Sequence, residues 1–136
     1  MVKMDLNHLH LHVTELGAAI AFYEYYFRFR RNREHDGVVF LRNEDGFDLA
    51  LSRESQTIPL PPGIHFGFRM PAPEWVSALH SRMVKNGVTI SKELASAASF
   101  VSFRCQDVAK YEIEVYWEAE ETEDRVSRWE GEGGSS

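Results

Sequence analysis

LNHLHLHV, residues 6–13, alternates without a break: His8, His10 and His12 fall on one parity, Leu9, Leu11 and Val13 on the other. Successive side chains of a β-strand point to opposite faces, so this stretch reads as a strand with three imidazoles on one face and three aliphatic groups on the other. The aliphatic face needs a cover. The histidine face needs a reason, because a strand face that merely meets solvent usually carries Thr, Lys, Glu or Ser.

The chain after it supplies the cover. Thr14 is placed to cap a helix, and Leu16, Ile20, Tyr23 and Phe27 recur at helical spacing as its core-facing stripe. Three strand candidates follow, 29–35, 38–42 and 47–53, separated by the turn signals Asp36-Gly37 and Asn43-Glu44-Asp45-Gly46. The first of them, FRFRRNR, is basic and reads as a loose edge. SQTIPLPPG, residues 55–63, cannot continue a sheet and reads as a linker. The plan then repeats: a strand at 64–70, a helix opened by Pro73, running through Trp75, Val76, Leu79 and Met83 and closed at Gly87, and a short strand at 88–91. A small-residue loop at 92–98 and a hairpin of 99–106 with 111–118 complete it. The expectation is an α+β fold of two tandem βαβββ modules, about 5–54 and 64–118, pairing into an open cup-shaped mixed sheet within one domain, 1–118. Residues 119–136 read as an acidic, flexible tail in which Trp129 docks loosely.

Composition narrows the function. With 136 residues, 43% hydrophobic and a net charge of -6, the chain is long enough for one real core and too acidic to favour nucleic acid or an anionic membrane. No apolar run approaches the roughly 20 residues that span a bilayer, and no signal-peptide pattern opens the chain. The single cysteine, Cys105, cannot form an internal disulfide, so a cytoplasmic setting is expected. Cys105 sits on the apolar parity of its strand and reads as a buried, inert thiol.

Each half opens with a strand bearing histidine on its polar parity, His8 and His65, and closes with a strand bearing an acid between apolar neighbours, Asp48 and Glu114. Two imidazoles with one or two carboxylates and no thiolate suit a divalent ion such as Fe, Ni, Zn or Mn. The same parity carries His10, His12, Ala50, Ser52, Gly67, Arg69 and Tyr116.

Three stretches, LNHLHLHVTELGAAIAFYEYYFRFR, GIHFGFRM and DVAKYEIEVYWE, resemble the vicinal oxygen chelate superfamily, which includes glyoxalase I, bleomycin-resistance proteins and extradiol dioxygenases. The resemblance covers about residues 5–118 and implies paired βαβββ modules around one divalent metal ion per site. It matches the metal ligands to His8, His65 and Glu114, and Asp48 to the place where glyoxalase I supplies a fourth ligand. It also departs from the pattern: Arg28 and Asp107-Val108-Ala109-Lys110 stand where the family places glycine-containing turns.

The resulting expectation is a divalent-metal-dependent enzyme of the glyoxalase type, a lyase or isomerase, acting on a small oxygen-rich substrate through a metal-chelated enolate or oxyanion. An Fe(II) extradiol-type dioxygenase is the first alternative, and a metal-free drug-sequestering protein of the bleomycin-resistance type the second. Glu114, Asp48 and His10 are the candidate catalytic groups. Arg69, Arg104, Ser102 and Tyr116 are the candidate substrate contacts. For the two arginines the alternative is a salt bridge to an acid such as Glu112, and for His10 a water-bonded polar wall. His35 and His80 read as surface residues. The stiff linker restricts how the halves fold onto each other, so a homodimer is expected, with His8 and Asp48 of one chain meeting His65 and Glu114 of the other.

Overall fold

The computed structural model describes residues 2–56 and 58–120. The expectations for Trp129 and for the tail beyond residue 120 lie outside the described residues. Among those described, no helix is long and apolar enough to cross a membrane.

The elements run β1 (His8–Val13), α1 (Leu16–Phe27), β2 (Arg30–His35), β3 (Val38–Arg42), β4 (Asp48–Arg53), β5 (Phe66–Arg69), α2 (Pro73–Lys85), β6 (Ile90–Ser96), β7 (Phe100–Gln106) and β8 (Glu112–Glu118). They form two four-stranded sheets of identical plan, ordered β1-β4-β3-β2 and β5-β8-β7-β6. In each, the first strand of the module pairs parallel with the last and the remaining pairs are antiparallel. These are the tandem βαβββ modules the repeated pattern predicts.

The apolar parity is the buried one. Leu11 and Val13 of β1, Val39 and Leu41 of β3, Leu49 and Leu51 of β4, and Ile113 and Val115 of β8 all lie in the core beneath the helices. Burying such side chains contributes about 1.5–3 kcal/mol each, which fixes the register: a one-residue slip would turn them all to water.

One core serves both modules, because α1 also packs against the second. Phe27 stacks on Phe68 with ring centroids 4.0 Å apart. Tyr23, fully buried, donates its hydroxyl to Asp107, which also accepts from the backbone N–H groups of Ala109 and Tyr111. Tyr111 returns the link by donating to the His12 carbonyl at 3.0 Å. Burial pushes the Asp107 carboxyl up, and its hydrogen bonds pull the other way.

Several local expectations change. Glu15, not Thr14, occupies the start of α1, and no side chain caps it. The buried residues of α1 are Ala19, Phe22 and Tyr23, with Leu16, Ile20 and Phe27 only partly covered, because the helix turns its centre toward Asp107. Trp75 is exposed. The strand at 64–70 shortens to Phe66–Arg69, since Gly63 and the prolines hold its entry in a turn. Residues 92–98 are not a loop: β6 spans Ile90–Ser96, and two register shifts against β7 break the alternation that would have revealed it. His80 is not a surface residue, because its ring packs edge-on against Phe103. The two departures from family turns, Arg28 (φ 58°) and Lys110 (φ 69°), both occupy the left-handed region that glycine fills more cheaply. Cys105 is fully buried, and desolvation pushes its thiol up to about 12.

Candidate functional site

Register builds the site, because paired residues share a face. On the polar face of the first sheet, His8 lies beside Asp48 and Asp48 beside Arg42, followed by His10, Ala50 and Phe40, then His12, Ser52 and Val38. On the polar face of the second, Gly67 lies beside Glu114 and Glu114 beside Arg104, with Arg69, Tyr116 and Ser102 in the next row. Each candidate site residue lies on one of these two faces or, for His65, at the entry to one.

The first face is largely satisfied from within. His8 Nδ1 is 2.9 Å from Asn7 Oδ1. Since an amide oxygen only accepts, Nδ1 is the donor in this contact and Nε2 is left out of it. Arg42 grips Asp48 at two points, Nε to Oδ1 at 2.8 Å and Nη2 to Oδ2 at 3.1 Å, and this fork holds the Asp48 carboxyl below the usual carboxylate range. His10 and His12 stack at 4.8 Å and share the Ser52 hydroxyl, 2.9 Å from His10 Nε2 and 3.1 Å from His12 Nδ1. Glu54 lies 3.3 Å from His12 Nδ1. Burial, with the neighbouring His12, lowers the pKa of His10, so it stands neutral at pH 7. The expected wall reading of His10 is therefore met in part by protein: its partner is Ser52 rather than water alone.

The second face is less complete. His65 Nε2 lies 3.6 Å from Glu114 Oε1, and His65 Nδ1 is buried with no hydrogen-bond partner. Arg104 stands directly across from Glu114 yet makes no ion pair among the described residues, and its Nε is likewise buried and unmatched there. The alternative of an Arg104–Glu112 bridge is not what forms, because Glu112 accepts from Ser91 and Gln106 instead. Arg69 donates to the Glu118 carbonyl at 2.9 Å. Tyr116 stacks on Phe100 with ring centroids 6.0 Å apart, forming an aromatic wall on this face. Ser102 is buried between Tyr116 and β6. Gly67 packs closely here: a Cβ would stand 3.0 Å from the Glu114 carbonyl oxygen and 3.4 Å from its Cβ, so a side chain would need the β8 backbone to give by a few tenths of an ångström.

His65 and Glu114 are thus brought together, and so are His8 and Asp48, but the two pairs stay apart. Among the described residues, no group of three His, Cys, Asp or Glu side chains gathers closely enough to hold a metal ion within one chain. An open cavity of about 890 Å³ gives access to His65, Gly67 and Arg69 from the side of Asn7 and Phe47. A second, of about 720 Å³, lies by the linker and Val108, away from the histidines.

Sequence reasoning missed Asn7, Arg42 and Gly67 as supports. Asn7 was findable as the amide directly before a candidate ligand. The Arg42–Asp48 fork needs the strand register, which no sequence pattern prints.

The model of the Glyoxalase/Bleomycin resistance protein/Dioxygenase superfamily matches residues 5–115. Among solved structures, one described as a possible glyoxalase from Bacillus cereus is 27% identical, with a TM-score of 0.73 over 83% of this chain and 98% of that one. The fosfomycin resistance protein FosX from Listeria monocytogenes gives a TM-score of 0.75 at 20% identity, over 93% of this chain and 99% of that one, a likeness of fold alone. A glyoxalase/bleomycin resistance protein/dioxygenase from Nocardioides gives 0.66 at 14% identity, over 90% and 88%. No curated protein sequence matches significantly.

Proposed function

The chain belongs to the Glyoxalase/Bleomycin resistance protein/Dioxygenase superfamily, and from that premise we propose that it is a divalent-metal-dependent enzyme acting on a small oxygen-rich substrate. The observation that carries this reading is the unfinished second face: a His65–Glu114 pair with a buried, unmatched imidazole nitrogen, opposite an arginine with a buried, unmatched Nε. Among the described residues three buried side-chain polar atoms lack a hydrogen-bond partner: His65 Nδ1, Arg104 Nε and, away from this face, His80 Nε2 on α2. Buried polar groups are ordinarily satisfied, so two unmatched ones on one face support a place where something binds.

The donors fit the ion that this superfamily commonly uses. His8 donates Nδ1–H to the Asn7 side-chain oxygen, which in the neutral ring leaves Nε2 as the metal-binding nitrogen, and His65 and Glu114 add imidazole and carboxylate. When bound, a divalent ion supplies Lewis acidity toward neighbouring substrate oxygens. The chain's own groups do the rest. Arg104, and Arg69 two strands away on the same face, orient a carboxylate or similar oxyanion; Tyr116 and Ser102 donate to substrate oxygen; Glu114 takes and returns the proton. Glu114 is a better base than Asp48, because Arg42 occupies both oxygens of Asp48 and favours its ionised form. Asp48 then acts by positioning, and neutral His10 as a donor or shuttle at the margin.

Three ligands from two separated faces require a second copy. The reading is therefore a homodimer in which His8 of one chain joins His65 and Glu114 of the other. Complementation tests it: His8→Ala and Glu114→Ala proteins are unfolded, mixed and refolded together. Cross-chain sites combine both lesions in one site and restore the other, so tight metal binding should partly return. If none returns, or if the parent sediments as a monomer, the cross-chain site is wrong. Elemental analysis of anaerobically purified protein separates the chemistries: iron favours the dioxygenase reading, nickel, zinc or manganese the glyoxalase type, and no metal a binding protein without chemistry.

A further inference from the structure

The strand that reads as a loose basic edge carries a feature that the reading above leaves unused. β2 is the free edge of the first sheet, and all six of its residues are exposed. In an unbroken strand, residues three apart face opposite ways. Here the pairing with β3 shifts between Arg31 and Arg33, so that Asn32 is bulged out and Arg33 rather than Asn32 stands opposite Phe40. Arg30 stands opposite Arg42. The bulge therefore turns both Arg30 and Arg33 onto the face of Phe40 and Arg42, the face that carries His8 and Asp48. The Arg33 guanidinium carbon lies 4.0 Å over the Phe40 ring centroid, a cation–π contact that positions the side chain on this face. Arg31 and Glu34 pair with Leu41 and Val39 and belong to the opposite side.

Charge makes the placement pointed. The chain carries -6 overall, yet this corner of the face gathers cations. Asp48 is already forked by Arg42 and feels Arg33 only at longer range, and Arg30 and Arg33 form no ion pair among the described residues. Arginines on an edge strand also keep it from pairing with another chain, but that purpose is served on either face and needs no bulge.

We propose that Arg30 and Arg33 form an anion-binding subsite at the β2 edge, taking a phosphate or carboxylate group on an arm of the substrate remote from His8. Three inter-strand spacings separate β2 from β1, so the anionic group would lie roughly 14 Å from the atoms held at His8. This rests on the enzyme reading only in calling the ligand a substrate. The subsite itself lies wholly on the first sheet of one chain and needs no metal.

The test is calorimetry of the full-length protein with inorganic phosphate and with malonate at low ionic strength, as purified and again after EDTA. Arg30→Met and Arg33→Met should each weaken binding about tenfold or more, and Arg33→Lys should weaken it too, because a point charge loses the flat fork. Arg31→Met, the same charge change on the other face, should stay within about twofold of the parent. Preference for phosphate over malonate, or the reverse, names the arm. Absence of binding by the parent, or equal losses in Arg31→Met and Arg33→Met, overturns the subsite. Because the comparison is repeated after EDTA, loss of the metal reading leaves this result standing, and a failed subsite leaves the metal reading standing.

Discussion

Asp48 and Glu114 occupy the same place in the two modules, each on the last strand and each across the sheet from an arginine. Yet Arg42 forks Asp48 while Arg104 leaves Glu114 alone, and Glu114 approaches His65 instead. The first strands differ to match. Where β1 sets His8 beside Asp48, β5 sets Gly67 beside Glu114 and moves its histidine two residues back, to the strand entry. The first module has tied up most of its polar face with its own hydrogen bonds, around Asp48, His10, His12 and Ser52, whereas the second has kept more of its donors and acceptors unmatched. A repeated fold can in this way divide the work, one copy holding the more open pocket and the other adding groups such as His8 at its margin.

The largest expected effect comes from breaking the incomplete copy. His65→Ala should lower divalent-metal affinity by about 100-fold or more, since even supporting residues around metal ligands are worth about 10–100-fold. Elemental analysis with circular dichroism checks it: unchanged metal content would remove His65 from the site. The link between the copies comes next. Asp107→Ala would strand the Tyr23 hydroxyl and two backbone N–H groups in a buried place, at about 1–3 kcal/mol each. A loss of at least about 3 kcal/mol is expected in urea unfolding, and a loss below about 1 kcal/mol would mean the modules are joined by other contacts. Arg104→Met should cost about 1.5–3 kcal/mol in binding of carboxylate ligands, read by calorimetry. Parent-like binding would leave the unmatched Nε without a role.

The smallest effect lies in the closed copy. Arg42→Met should raise the Asp48 pKa toward its ordinary value, since the fork is the main cause of the depression. A depressed carboxyl contributes stability that is present above the unfolded pKa of about 3.9 and is lost as pH falls through the folded value. The variant should therefore lose less stability than the parent on acidification below about pH 4. Carboxyl NMR titration and pH-dependent unfolding would show it, and an unmoved Asp48 titration would mean the fork does not hold in solution.

The alternation of β1 was legible because only one face of that strand is buried, so hydrophobicity and position repeat together. The second helix was legible through Pro73 and Gly87, and Cys105 through its parity. β6 was not, because two bulges destroy the period of two, and Trp75 misled because a large apolar side chain on a helix need not face the core. Among site residues, the pairing of acid with histidine in each half came from the pattern. Which acid was free did not.

By itself, then, the sequence determined the two βαβββ modules, the buried parity of their strands and the set of side chains on the polar faces. These follow from local periodicity and turn chemistry, which act over a few residues. Only the tertiary structure decided that Arg42 closes Asp48, that Gly67 packs tightly beside Glu114, that the bulge at Asn32 turns Arg33 onto the face of His8, and that Tyr23 reaches across to Asp107. Each of these depends on which residue stands across from which. Pairs separated by 6 to 84 residues along the chain meet only once strand register and helix packing are set, and burial of the whole apolar face sets them together.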